Sequence, residues 1–219
     1  APATTAISTV LTSSAASDVY KRQRVLWLLE ELGLDYKIEF YQRDPETNLA
    51  PPELEAIHPL GKSPVLTDGE NTIIESGAII DYILRRHGGG RLIPEAGTAS
   101  HEQYLMWLHY SEGSAMLPLM LRMYTSRLPD GGEALQPRIN DELNRHLGYM
   151  NNALEGVDWF VDNTLTGADI QLSFVAEIAP LLHPGAELPN LDAFRARIHG
   201  RPAYKVALEK GGAYSFGPA

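Results

Sequence analysis

The stretch HPLGKSPVLTDGENTIIESGAII, residues 58–80, sets Lys62-Ser63-Pro64 directly before a strand-like run and Glu75-Ser76 directly after a second one. Proline has no backbone donor and sits poorly beside a strand unless a bend is wanted there. A cis Ser63-Pro64 bond is such a bend, available mainly before proline. It would turn the Ser63 N–H and C=O to the mouth of a sheet, where an extended peptide pairs as an added strand. Lys62 beside that position suits a carboxylate. Glu75 suits an ammonium, and the open N–H groups of a helix starting at Ser76 attract a second carboxylate. The same residues also have a plain reading, with Pro64 in a trans turn, Lys62 solvated and Glu75-Ser76 only capping a helix, and residue types alone leave both open. The nearby Gly-Lys-Ser is not a phosphate-binding loop, which needs a glycine where Ala56 stands.

A ligand with a carboxylate at one end, a peptide in the middle and an amino acid at the other end satisfies the first reading. Glutathione has that shape. The chain contains no cysteine, so a disulfide framework, a protein thiol nucleophile and a cysteine-based zinc site are excluded, and any sulfur chemistry must use a sulfur the ligand brings. His101 and His109 lack a third partner at zinc-site spacing, so no metal is expected.

The elements that must position these residues follow from periodicity. QRVLWLLEELGL, residues 23–34, repeats its apolar residues at helical spacing and stops at Gly33. DYKIEFY, residues 35–41, alternates as a strand does. The prolines at 51 and 52 open a short helix ending before Pro59. PVLTD and NTIIE flank a turn at Asp68-Gly69 and read as a hairpin whose loop is two residues or longer. SGAIIDYILRRHG, residues 76–88, reads as a helix capped by Ser76, with Arg85, Arg86 and His87 at its negative end. Residues 87–97 form a linker. After Thr98 strand signals vanish, and five helical segments run to residue 211, the first of them bent at Pro118. The expected architecture is α+β: a mixed domain over residues 1–88 and an all-helical domain over residues 98–219.

Composition bounds the partners. In 219 residues, 44% are apolar and 21% charged, as in an ordinary globular protein with ample length for a core. The net charge of −10 argues against a nucleic-acid partner, which requires clustered Lys and Arg. No apolar run reaches the length of a membrane span.

QRVLWLLEELGL, LAPPELEAIHPLGKSPVLTD, ESGAIIDYIL and LTGADIQLSF, in this order and spacing, resemble the cytosolic glutathione S-transferases, in particular a theta/beta-like group of fungal and bacterial type. The resemblance covers residues 23–216. It implies a thioredoxin-like N-terminal domain, an all-α C-terminal domain, a homodimer and a cytoplasmic, detoxifying enzyme. It implies that the backbone of Ser63 pairs with the cysteinyl part of glutathione, that Pro64 is cis, that Glu75 and Ser76 bind the γ-glutamyl end, and that Lys62 faces the glycyl carboxylate. The helix after the linker, through Tyr104, Trp107, Tyr110 and Met116, would line the site of a small hydrophobic electrophile; the plainer account of such a stripe is core or interface packing. Glu112 would reach the partner subunit's ligand. Thr166 to Asp169 match the family's capping box, a structural device with Asp in the place usually held by Glu. The implied chemistry is addition of the glutathione thiolate to an electrophilic carbon. A free thiol of pKa about 8.5 is only a few per cent ionised at neutral pH, so a hydrogen-bond donor and a helix N-terminus that favour the thiolate matter.

The N-terminal segment departs from the family. A first strand and a loop with a catalytic serine are expected just before Gln23, where the chain reads SSAASDVYKR. Tyr20 takes the place of that serine by position only, with Ser17 and the Ser13-Ser14 pair as the other candidate donors. Either Ala6–Thr12 supplies the strand with a longer loop after it, or residues 1–22 are foreign to the family; the weak apolar character favours the second. Alternatives to conjugation are glutathione-dependent peroxide or disulfide reduction and non-catalytic glutathione binding.

Overall fold

The structure, a computed structural model, describes residues 7–12, 16–42, 44, 46–47, 49–212, 214 and 216–217, and for residues 7–12 and 16–20 the backbone alone. By contacts these fall into two units. The first comprises the described residues up to Arg91 together with those from Arg201 to Gly217, and the second runs from Leu92 to Gly200.

The first unit is built on a four-stranded sheet in the order β2-β1-β3-β4. Strand β1 (Ile7–Thr12) lies inside it, parallel to β2 (Tyr36–Tyr41) and antiparallel to β3 (Val65–Asp68), which pairs with β4 (Asn71–Ile73). Ile7–Thr12 thus takes the place of the first strand, the first of the two alternatives that the sequence left open. Lying between β2 and β3, it satisfies its backbone groups with ladder bonds on both sides. Helix α1 (Ala16–Leu32) starts a full turn and more before Gln23, so Val19 to Arg22 are helical where a loop was expected. It ends as Gly33 suggests: Gly33 adopts φ +65°, and the Leu34 N–H reaches the Leu29 carbonyl at 3.1 Å. Arg91 donates to the carbonyls of Glu31 and Leu32, satisfying acceptors that the helix end leaves open.

Helix α2 (Pro52–Ile57) buries Leu54 against Val65 of β3, and α3 (Ser76–His87) buries Ile79, Ile80, Ile83 and Leu84. Val25 through Leu29 of α1 are all fully buried, although a helix covered on one side would bury only one face of each turn. The cover on the second side comes from α9 (Pro202–Gly211). Trp27 meets Tyr204 edge-on at 5.6 Å, Arg201 forks onto the Glu31 carboxylate, and Lys210 pairs with Glu30 at 2.6 Å. Burial alone would raise the Glu31 pKa, but hydrogen bonds from Arg201 and Trp27 and the charge of Arg91 outweigh it and hold the carboxyl below its usual range. The closing helix therefore groups with the mixed unit.

The second unit is helical: α4 (Ala99–Tyr110), α5 (Met116–Thr125), α6 (Gln136–Ala153), α7 (Gly167–Leu182) and α8 (Pro189–Gly200). Between α4 and α5 the chain makes a π-helical turn over Ser111–Ala115, in which the Met116 N–H reaches the Ser111 carbonyl. The irregularity thus precedes Pro118, which lacks the N–H that would hold the regular ladder one turn earlier. Ser111 donates to the Gln171 carbonyl at 2.9 Å and ties this turn to α7, which is buried from Gly167 to Ala179. No helix among the described residues is long and apolar enough to cross a membrane.

The capping box expected at Thr166 is present. The Thr166 hydroxyl accepts from the Ala168 N–H at 3.3 Å, and Asp169 Oδ2 accepts from the Thr166 N–H at 2.7 Å. Asp169 Oδ1 also accepts from the Phe160 N–H at 2.9 Å, so one carboxyl both starts α7 and holds the preceding loop. Burial pushes the Asp169 pKa up to about 6 in spite of these bonds. Thr166→Ala is expected to cost about 1 kcal/mol in urea unfolding, and Asp169→Asn more, because its amide nitrogen must face backbone N–H donors. An acid with a raised folded-state pKa binds its proton more tightly folded than unfolded. The Asp169 contribution to stability is therefore expected to fall as pH rises from about 4 to about 6, by at most about 1.4 kcal/mol per pH unit. The stability gap between wild type and Asp169→Asn should narrow over that range and stay constant above it.

Candidate functional site

The β3–β4 pairing sets Leu66 opposite Ile73, Thr67 opposite Thr72 and Asp68 opposite Asn71. Ser63-Pro64 lie just before β3 and Glu75-Ser76 just after β4, so both pairs leave the hairpin at the same end. The two halves of the sequence motif therefore meet at one end of the sheet. On the other side of β3, Val65 pairs with Val10 near the C-terminal end of β1, so β1 ends at that same end of the sheet. Ligands of α/β sheets bind outside the carboxyl ends of strands for this reason.

The Ser63-Pro64 bond is cis, as the motif implies. Ser63 is buried, Pro64 is buried, and Lys62 is exposed beside them. The turn that delivers them depends on Gly61, which holds φ +52° and donates its N–H to the His58 carbonyl at 2.9 Å. A Cβ at Gly61 would lie 2.6 Å from the Ala50 Cβ, so neither its backbone nor its surroundings admit a side chain.

Glu75 follows β4 with φ +68° and ψ 115°, outside the regions open to ordinary side chains, and it occupies the N-cap position of α3. Ser76 is the first helical residue rather than the cap. Its hydroxyl accepts a hydrogen bond at 3.4 Å from Nη1 of Arg24, a side chain 1% exposed within α1. A strained non-glycine residue at a helix entrance is characteristic of ligand clamps. Glu75, exposed, and Ser76, buried, thus offer an acceptor and a hydroxyl next to the open N–H groups of a twelve-residue helix.

The chain-wide matches agree with this geometry. Residues 19–85 match the model of the glutathione S-transferase N-terminal domain, and residues 108–202 match that of the C-terminal domain. The chain belongs to the glutathione S-transferase family. It is 33% identical over 210 residues to glutathione S-transferase 1 of Saccharomyces cerevisiae, covering 85% of this chain and 89% of the yeast protein. The crystal structure of a glutathione S-transferase from Actinobacillus pleuropneumoniae superposes with a TM-score of 0.81 at 34% identity, covering 96% of this chain and 95% of that one. A glutathione transferase of Phanerochaete chrysosporium, in complex with oxidized glutathione, superposes with a TM-score of 0.77 at 25% identity, over 94% of this chain and 96% of its own. The thioredoxin-like unit followed by helices is the transferase fold, and the protein is a glutathione-related transferase.

In this transferase Ser17 lies in the first turn of α1 and Tyr20 one turn further in; their side chains, like residues 13–15 with the Ser13-Ser14 pair, lie outside the described residues. Of the four residues expected to line an electrophile site, Tyr104, Trp107 and Met116 are buried and Tyr110 is half-buried. Trp107 packs against Phe160 at 4.6 Å, Tyr149 at 5.1 Å and Tyr110 at 5.3 Å, in an aromatic cluster of the helical unit. The Tyr110 hydroxyl lies 2.7 Å from His146 Nδ1, and burial followed by the nearby Tyr149 raises its pKa. Glu112 lies in the π-helical turn. No group of three or more metal-binding side chains occurs among the described residues.

Two residues of the site escaped the sequence reading. Gly61 is one of many glycines, and only the approach of Ala50 reveals its constraint. Arg24 sits in a basic run, Lys21-Arg22-Gln23-Arg24, that reads as a solvated face. Gly61→Ala is expected to destabilise the protein by about 2–4 kcal/mol, from the forced φ and the overlap with Ala50. Chemical denaturation measures it, and Gly113→Ala, at an open helical position, serves as the control.

Proposed function

We propose that the protein conjugates glutathione to small hydrophobic electrophiles. Glutathione lies along the end of the sheet, its cysteinyl part paired with the backbone of Ser63 ahead of cis Pro64 and its glycyl carboxylate facing Lys62. Its γ-glutamyl ammonium is held by Glu75 and its α-carboxylate by Ser76 and the start of α3. The observation that carries this reading is the hairpin, which brings cis Ser63-Pro64 and Glu75-Ser76 to the same end of the sheet in a chain of this family. The N-terminal turn of α1, with Ser17 and Tyr20, opens at the same sheet end and is where a donor to the thiolate belongs. The thiolate attacks an electrophilic carbon, a C–S bond forms, and with an aryl halide the halide leaves while the thiol proton passes to solvent. Tyr110, half-buried, is the member of the aromatic set that touches the electrophile; Tyr104, Trp107 and Met116 shape the wall behind it. Free glutathione is held as the thiol in a reducing, cytoplasmic setting, which this reading implies.

The working form is a homodimer. Leu117, Leu121, Tyr124 and Leu128 stand on and just beyond α5 at spacings of four, three and four residues, with exposures of 59%, 37%, 54% and 51%. Such an apolar stripe on one helical face fits a second copy of this chain.

Calorimetry with glutathione, then turnover with 1-chloro-2,4-dinitrobenzene and with cumene hydroperoxide, tests the activity. Binding with aryl-halide turnover is expected. Turnover of the hydroperoxide alone replaces conjugation by peroxide reduction, binding without turnover makes the protein a glutathione carrier or scaffold, and absence of binding ends the reading. Glu75→Gln and Ser76→Ala are each expected to raise KM for glutathione about tenfold or more, with kcat within a few-fold of wild type, since a hydrogen bond to a charged group contributes about 1.5–3 kcal/mol. Leu117→Glu with Leu121→Glu is expected to shift the protein from dimer to monomer in light scattering.

A further inference from the structure

We propose that Arg24 is a positioning residue that makes the head of α3 selective for the α-carboxylate of the ligand's glutamyl end. The inference rests on the glutathione reading above and assigns a residue that neither the motif nor the family match singles out.

Arg24 projects from the first half of α1, 1% exposed, and Nη1 donates to Ser76 Oγ at 3.4 Å. Its position in the chain, 52 residues before Ser76, makes this a tertiary contact that α1 and α3 must pack to create. A serine hydroxyl has one proton and two lone pairs. Accepting from a guanidinium takes up a lone pair on the side facing Arg24 and strengthens the hydroxyl as a donor. Ser76 is thereby biased to donate, which suits a carboxylate oxygen and not an ammonium.

Charge points the same way. The guanidinium is a cation, and it stands at the first turn of a helix whose N–H groups already create positive potential. Low exposure keeps solvent from screening it. Glu75, one residue earlier and exposed, carries the opposite sign. The two adjacent positions therefore present a negative and a positive field to one ligand end, the pattern that matches the ammonium and carboxylate of a free amino-acid head.

Two ligands separate this role from a structural one: glutathione, and its analogue with the glutamyl α-carboxylate removed, γ-aminobutyryl-cysteinyl-glycine. Kd is measured by calorimetry for wild type and Arg24→Met, with thermal unfolding as the check on folding. Wild type is expected to favour glutathione over the analogue. Arg24→Met is expected to weaken glutathione about 10- to 100-fold and to leave the analogue within about twofold. The effect should vanish in a Ser76→Ala background, where the hydroxyl that relays it is gone. If Arg24→Met does not fold, Arg24→Lys, which keeps the charge and loses the planar fork, must still weaken glutathione and spare the analogue. Equal losses for both ligands, or no loss for glutathione, overturn the role of Arg24 while leaving glutathione binding intact. Failure of wild type to bind glutathione instead overturns the functional reading on which the inference stands.

Discussion

A two-residue turn governs the candidate site. Asp68 pairs with Asn71 across Gly69 and Glu70, and Gly69 alone takes a positive φ, +59°, as in a type II′ turn. That loop length fixes which residue of β3 faces which residue of β4. A slip of one residue would turn every side chain of β4 to the other face of the sheet and part Ser63-Pro64 from Glu75-Ser76. The turn itself touches no ligand and stands at the far end of the hairpin. Yet the strained Glu75, the start of α3 and the hydrogen bond from Arg24 to Ser76 all inherit their places from it. The contacts of Asp68 with His87 at 2.8 Å and with Tyr82 at 2.9 Å bind this turn to α3, so hairpin and helix move together.

What the sequence makes legible here is what local chemistry decides. The hairpin, the short helix at Pro52 and the capping box at Thr166 each carry their own signal within a few residues, and each is found. β1 is hard to read for a physical reason. Ile7–Thr12 mixes three apolar residues with a serine and two threonines without strict alternation, and its pairing comes from β2 and β3, strands distant in sequence. The N-terminal part of α1 is equally opaque, since Arg22, Gln23 and Arg24 are polar and yet buried. Periodicity assigns polar residues to solvent, so a helix whose polar side is covered gives no warning. Only the packing of α3 and α9 against α1 supplies the reason.

Arg24 and Glu31 show how α1 serves two neighbours at once. Toward α3 it sends a buried cation, and toward α9 it offers a carboxylate that Arg201 and Trp27 hold. Buried polar partners of this kind contribute little net stability compared with apolar packing, but their removal one at a time is costly. They fix the rotation of α1 about its axis, which apolar contact alone would leave looser.

The grouping of α9 with the mixed unit has a consequence for how the protein is made. Residues up to Arg91 leave the ribosome without the helix that covers α1, and Trp27 and its neighbours wait while the whole helical unit is synthesised. At ordinary elongation rates this interval is about 5–20 s. During it the nascent chain presents an uncovered apolar helix face, a target for chaperones that bind exposed hydrophobic segments. The mixed unit is completed only when α9 has emerged and folded back onto it.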